Sequence, residues 1–252
     1  MIHLDLIGIG TGNPDHLTRA AVRALNAADL ILVPVKGGER AELAHIRRAI
    51  LAAALAAPVP TAAFAMPERA SDGDYARAVD DWHAAIAARW AETIARHRPQ
   101  GGRVALMVWG DPSLYDSSLR IAARLGAGGL AVRVSVVPGI TSLQLLTAAH
   151  AIPLNPLSGS VVITTGRLLR AHGWPPGTAR VAVMLDAGGA FSVLDPAGVH
   201  IWWGACLGLP QEALIAGPLA EAGPRILAER ARLRAEQGWV MDIYLLERRA
   251  DA

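Results

Sequence analysis

The chain of 252 residues is 52% hydrophobic and 18% charged, too apolar for disorder and long enough for one large core or two of ordinary size. A net charge of +2, with the basic residues scattered, excludes a patch built for a nucleic-acid backbone and leaves room for an anionic small substrate. The lone Cys206 excludes an internal disulfide and suits a reducing cytoplasm, no CxxC or HExxH spacing offers a metal site, and no apolar run nears the ~20 residues that cross a bilayer.

The N-terminus "MIHLDLIGIG" has an acid within its apolar run and no basic leader, which predicts a protein without a removed signal. Short apolar runs then alternate with Ala/Leu/Arg segments of helical period. The first half predicts strands at His3–Ile9, Asp29–Val33, Val59–Phe64, Arg103–Val108 and Val132–Val137. Helical patterns lie between them at Leu17–Ala27, Glu39–Ala56, Asp74–His97, Asp116–Leu125 and Thr141–Ala149. Strict alternation predicts a mainly parallel sheet with helices on both faces. In "HAIPLNPLSG", from His150 to Gly159, two prolines and a polar cluster break the periodicity and predict a boundary between domains 1–153 and 154–252. The second domain reads as strands Val161–Thr164, Arg180–Leu185, Val199–Trp203, Ala213–Ala216 and Val240–Leu246, with a helix from about Pro224 to Glu236.

The stretch "GIGTGNPDHLT" places Gly8, Gly10 and Gly12 after the first strand. A dinucleotide-binding turn needs G-x-G-x-x-G opening straight into a helix, so that the pyrophosphate meets free N–H groups at the helix N-terminus. Here Asn13 stands where the third glycine should be, and Pro14 removes an N–H, so the helix waits until Asp15 or Thr18 can cap it. Taken alone, Gly8 and Gly10 equally suit a plain strand-to-loop turn. Two more strands, "RVALMVW" and "VRVSVV", end in "GDPSLYDSS" (Gly110 to Ser118) and "PGITSLQ" (Pro138 to Gln144). Three parallel strands thus end in loops of Gly, Pro and short polar residues, on the carboxyl edge where open α/β sheets bind ligands.

This ordered set, followed by the strand "VAVML", resembles the S-adenosylmethionine-dependent tetrapyrrole methyltransferases over essentially the whole chain. The resemblance implies the tetrapyrrole methylase fold, two α/β domains with a ligand cleft between them, together with a homodimer and no metal. It implies that Trp109, Gly110, Asp111 and Leu114 contact the methyl donor, S-adenosyl-L-methionine, with Thr141 and Ser142 closing one side. Met184 and the turn Gly204 to Ala205 would complete the pocket from the second domain. The first loop, with Gly10, Thr11 and Gly12, would line a trough for the flat tetrapyrrole instead of holding a dinucleotide. Trp109 departs from the glycine often found before "GDP" in the family. Plainer roles exist for several of these residues. Asp111 can bond its own turn, Thr141 and Ser142 can cap the next helix, and Met184 can fill the core.

The segments "KGGERAELAHIR" (Lys36 to Arg47), "YARAVDDWHAAIAARW" (Tyr75 to Trp90) and "IWWGACLGLPQEALIAGPL" (Ile201 to Leu219) are most similar to the deacetylating branch of the family in aerobic cobalamin synthesis. That implies methylation of precorrin-5 at ring carbon 1, with the acetyl group there lost as acetate. A polycarboxylate substrate needs cations to orient it, and Lys36 and Arg47 are the candidates, although both also suit a solvated helix face. Deacetylation further needs a group to position or deprotonate water and one to stabilise the oxyanion. The candidates are Asp5 and His16 beside the first loop and Tyr115 beside the second. An unpaired acid is costly to bury, so Asp5 is expected to face solvent or a polar cleft. His16 equally suits a helix-start cluster, and Tyr115 a packing role. The competing readings are a tetrapyrrole methyltransferase acting on uroporphyrinogen or another precorrin, a nicotinamide-dependent oxidoreductase, against which Asn13 and the delayed helix count, and a non-catalytic binding subunit.

Overall fold

The computed structural model describes residues 1–35, 41–70 and 74–248. The chain forms two compact units, Met1–Thr141 and Ser142–Ala252. The first contains β1 (Ile2–Gly8), α1 (Arg19–Asn26), β2 (Leu30–Val35), α2 (Ala41–Ala54), β3 (Thr61–Ala65), α3 (Tyr75–His97), β4 (Gly102–Val108), α4 (Ser118–Ala127) and β5 (Val132–Val137). Its strands form one sheet in the order β3-β2-β4-β1-β5, with every pairing parallel. Leu4 and Leu6 of β1 enter a core with α3 and α4, whereas Ile7 and Ile9 enter a second core with α1 and α2. A strand covered on both faces must be apolar at consecutive positions, which is why β1 and β4 read as nearly unbroken hydrophobic runs. The delay before α1 is also visible. Asn13 Oδ1 accepts from the Asp15 N–H at 2.9 Å and shapes a short 3-10 turn, Pro14–His16, before Thr18 Oγ1 caps α1 by accepting from the Ala21 N–H at 3.0 Å.

The second unit contains α5 (Ser142–Ala149), β6 (Val161–Thr165), α6 (Gly166–His172), β7 (Arg180–Met184), β8 (Val199–Ala205), β9 (Ala213–Pro218), α7 (Leu219–Gln237) and β10 (Asp242–Arg248). The strand order is β6-β7-β10-β8-β9, with β6 and β7 parallel and the other pairings antiparallel. α6 was not expected: its seven residues are too few to show a period, although Thr165 caps it through the Leu168 N–H at 3.3 Å. α7 begins five residues before Pro224, where proline's preference for a first turn had placed its start. Burial decides it, because Leu219 and Ala222 pack into the core beside Ile226.

The boundary falls after Thr141 and not at residue 153. α5 packs on β8 and β10, His150 Nε2 lies 3.0 Å from the Trp203 carbonyl, and Arg180 Nη1 donates to the Pro153 and Leu154 carbonyls at 2.6 and 3.2 Å. The proline-rich stretch is therefore tied into the second unit.

Candidate functional site

The carboxyl ends of β4, β1 and β5 are neighbours in the sheet, and the main chain beyond them meets. Gly10 and Gly110 exchange two hydrogen bonds, the Gly10 N–H donating at 3.2 Å and the Gly110 N–H at 2.8 Å. Gly8 and Gly139 are so close that a Cβ on Gly139 would lie 2.1 Å from the Gly110 carbonyl oxygen, and one on Gly8 would lie 2.5 Å from the Gly139 nitrogen. Gly110 differs: its φ of +66° favours glycine, yet a Cβ there would meet no described residue within 4 Å. The three loops expected to bind ligand are thus one backbone surface, and at Gly110 it faces open space.

Asp111 holds that surface together. It is buried, its Oδ1 accepts from the Ser113 N–H at 2.8 Å, and its Oδ2 accepts from the Gly139 N–H at 2.8 Å. Burial pushes this carboxyl upward, but the hydrogen bonds from the Ser113 hydroxyl and the Gly139 and Ser113 amides outweigh it and hold the group below the usual carboxylate range. Both oxygens serve the loops, so Asp111 is a clasp between the second and third loops and not a carboxylate offered to a ligand. Trp109 and Leu114 flank it, both half-buried, and Thr141 is buried at the end of the third loop. Thr11 and Gly12 are buried in the first loop.

A cavity of about 430 Å³ lies in the first unit beside the second loop. Trp82 and Trp90 of α3, Trp109, Tyr115, Asp116 and Arg47 of α2 line it, with a largely aliphatic remainder. The Arg47 guanidinium lies 5.9 Å from the Trp109 ring centroid, its Nε is buried without a partner among the described residues, and burial pushes its pKa down. Tyr115 is 43% exposed and has a φ of +49°. Burial raises its hydroxyl pKa, so at neutral pH it is a hydrogen-bond donor. Trp82 and Trp90 were missed as site residues in the sequence, although Trp82, Ile86 and Trp90 repeat every fourth residue along one face of α3.

His16 ends the 3-10 turn after the first loop, beside Gly10, and its Nδ1 is buried with no partner among the described residues. Lys36 lies outside the described residues. Asp5 is corrected: it is 5% exposed in the middle of β1, not in a polar cleft. Arg103 Nε lies 3.1 Å from its carboxylate and the Ser135 hydroxyl donates to it, from the strands on either side. It stands three residues before the end of β1, about 10 Å from the loops at the usual rise. Asp5→Asn is therefore expected to cost about 1–3 kcal/mol of stability by urea denaturation and to leave acetate release per folded molecule unchanged.

In the second unit Met184 ends β7, half-buried, and Ser142 opens α5. Gly204 and Ala205 are also corrected. They are the buried last residues of β8, paired to β10 on one side and β9 on the other, so their peptides serve the ladder and the turn starts at Cys206. Backbone strain marks positions that the sequence could not. Tyr115, Leu185 and Cys206, at φ of 49°, 52° and 51°, directly follow Leu114, Met184 and Ala205. Leu185 is 65% exposed, and the residue after it, Asp186, is buried. The Asp186 carboxylate accepts from the Tyr244 hydroxyl at 2.8 Å, Arg170 Nη2 at 2.6 Å, and the Ala190 and Gly188 amides at 2.5 and 3.1 Å.

The model of the Tetrapyrrole (Corrin/Porphyrin) Methylases matches residues 3–223. The precorrin-6A synthase [deacetylating] of a Sinorhizobium species is 46% identical over 98% of this chain and 95% of its own length. Among solved structures, a cobalamin synthesis related protein (CobF) from Corynebacterium diphtheriae superposes with a TM-score of 0.84 at 37% identity, covering 98% of this chain and 99% of the other. The uroporphyrin-III C-methyltransferase of Thermus thermophilus, in complex with S-adenosylhomocysteine, shares the fold with a TM-score of 0.58 at 20% identity, covering 97% and 92%.

Proposed function

The chain belongs to the tetrapyrrole (corrin/porphyrin) methylase family, and on that premise we propose that it converts precorrin-5 to precorrin-6A, methylating ring carbon 1 and releasing the acetyl group as acetate. The observation that carries the reading is the backbone surface where the ends of β1, β4 and β5 meet, open at Gly110. A surface of main-chain groups without side chains suits a ligand held by its polar edges, and its first loop passes through the turn Pro14–His16 instead of opening straight into a helix as a pyrophosphate turn would. The residues present in the first unit fit S-adenosylmethionine: Trp109, Gly110 and Leu114, with Thr141, would hold it there, and Ser142 and Met184 are the candidates that the family resemblance adds from the second. When bound, its sulfonium supplies the methyl group. Met184 is followed by Leu185, an exposed, left-handed residue, which would serve in place of Gly204 and Ala205 as a further contact.

The chain's own groups answer the demands of deacetylation. Water must add to the acetyl carbonyl, after which the carbon–carbon bond breaks and its electron pair stays on ring carbon 1. Tyr115, a protonated phenol at neutral pH, would donate to the developing oxyanion, and His16 would take the proton from water. Gly10, Thr11 and Gly12 would support the macrocycle, and Arg47 would pair with one of its carboxylates.

The purified protein incubated with the donor and a panel of tetrapyrroles, followed by mass spectrometry, is expected to yield a methylated product and acetate from precorrin-5. Methylation of uroporphyrinogen III instead would assign it to another branch, and calorimetric binding of a nicotinamide dinucleotide without S-adenosylhomocysteine would overturn the class. Tyr115→Phe and His16→Gln, singly and together, are expected to slow acetate release by about 10²–10⁴-fold. Unchanged release in all three variants would remove both residues from the chemistry.

A further inference from the structure

Two residues that line the cavity beside the second loop carry buried nitrogen donors to which no described residue offers an acceptor, Arg47 Nε and Trp90 Nε1. Only four side-chain atoms among the described residues stand in that condition, and two of the four belong to the wall of this one cavity. A buried N–H of a cation to which no described residue offers an acceptor is costly, and that cost falls when a ligand supplies one. Asp116, the acidic residue of the lining, does not fill that role: its Oδ1 accepts from the Ser118 N–H at 2.6 Å, which turns it to the start of α4. Apart from Ser117 and Ser118 beside Asp116, the rest of the wall is aromatic or aliphatic, so the ligand must bring acceptors at one end and little polarity elsewhere. At about 430 Å³ the space is at the small end of the ~300–1,000 Å³ range of ligand pockets, enough for an arm and the edge of a ring.

We propose that this cavity is a carboxylate subsite, in which the guanidinium of Arg47 and the indole N–H of Trp90 hold a short carboxylate against an aromatic wall. The inference rests on the reading of the protein as a deacetylating tetrapyrrole methylase only for the source of that carboxylate. It is either an acetate arm of the macrocycle or the acetate freed by the reaction. In the second case the enzyme binds its own product in the wall next to the loop that carries Tyr115.

Three of the chain's seven tryptophans, Trp82, Trp90 and Trp109, line the cavity, so their fluorescence reports its occupancy. Sodium acetate titrated into the full chain is expected to give a saturable change that sodium chloride at equal ionic strength does not. Arg47→Gln is expected to weaken the acetate response by about tenfold or more, and Arg47→Lys by less, because lysine keeps the charge without the fork. Circular dichroism and a cooperative thermal transition show whether each variant is folded. If Arg47→Gln does not fold, Trp90→Phe, which keeps a ring and removes the donor, is expected to weaken acetate severalfold. An acetate response equal to that of chloride, or one unchanged in a folded Arg47→Gln or Trp90→Phe variant, overturns the proposal. Acetate binding in a protein that does not bind S-adenosylhomocysteine would overturn the methylase reading and leave the subsite standing. Competition by uroporphyrin III, a tetrapyrrole polycarboxylate, assigns the subsite to a substrate arm, and acetate binding without competition assigns it to the released product.

Discussion

Gly139→Ala is expected to destabilise the protein by about 3 kcal/mol, the upper end of the usual cost of overpacking, and to lower the melting temperature by about 6–12 °C. The added methyl would sit 2.1 Å from the Gly110 carbonyl oxygen and 2.8 Å from the Cα of Gly8. All of those atoms are main chain, and they belong to loops already joined through Gly10 and Gly110 and through Asp111, so no side chain can swing away to relieve the clash. Gly110→Ala makes the informative contrast. Its methyl would point into open space, so the expected cost is the left-handed conformation alone, about 1–2 kcal/mol. Because that open space is where the donor is proposed to lie against the backbone, the same change is expected to weaken S-adenosylhomocysteine binding by about tenfold or more in calorimetry. A folded Gly110→Ala variant that binds the analogue normally would show that the ligand does not approach this loop.

The legible part of the molecule is the part fixed by nearest neighbours in the chain. The apolar runs of β1 and β4 needed no partner to be read as strands covered on both faces, and the glycines that end them announced loops without side chains. Asp5 was misread because its environment depends on register: only the pairing of β1 with both β4 and β5 puts Arg103 and Ser135 within reach of its carboxylate. Gly204 looked like a turn residue for a similar reason. In the structure it lies in a strand, and a Cβ there would crowd Leu207 and Leu146 side chains at 2.7 and 3.0 Å. Each wall of the cavity has a local signal, such as the spacing of Trp82, Ile86 and Trp90. Their convergence with Arg47 has none, because it is produced by the docking of α2 and α3 at the ends of β2, β3 and β4.

Asp186→Ala is expected to destabilise the protein by about 3–5 kcal/mol, the range for removing one partner from a buried charged network, against a total of about 5–15 kcal/mol for a typical protein. The side chain is 2% exposed, and its two oxygens accept from four donors. The isosteric Asp186→Asn should also be costly, because an amide has one acceptor oxygen and would turn its NH₂ toward donors on the other side. The pH dependence carries a definite sign. Burial raises this carboxyl's pKa, but the Ala190 and Gly188 amides, the Tyr244 hydroxyl and Arg170 outweigh it, leaving the folded value below the unfolded one near ~3.9. The stabilisation is therefore complete above that unfolded value and is lost as pH falls through the lower folded one, so the gap between wild type and variant in urea midpoint should narrow in acid. Asp242 shifts the other way, chiefly through burial and in small part through the charge of Asp186. Removing Asp186 relieves that repulsion and returns a small part of the loss. The functional consequence comes from position. Asp186 fixes the chain immediately after Met184 and the strained Leu185, with Arg230 Nη2 holding its carbonyl at 3.0 Å, and because Met184 and Leu185 are proposed to contact the methyl donor, a folded variant is expected to show a raised KM for it with little change in kcat. A fall in kcat at unchanged donor KM would mean that this network supports the fold of the second unit without shaping the donor site.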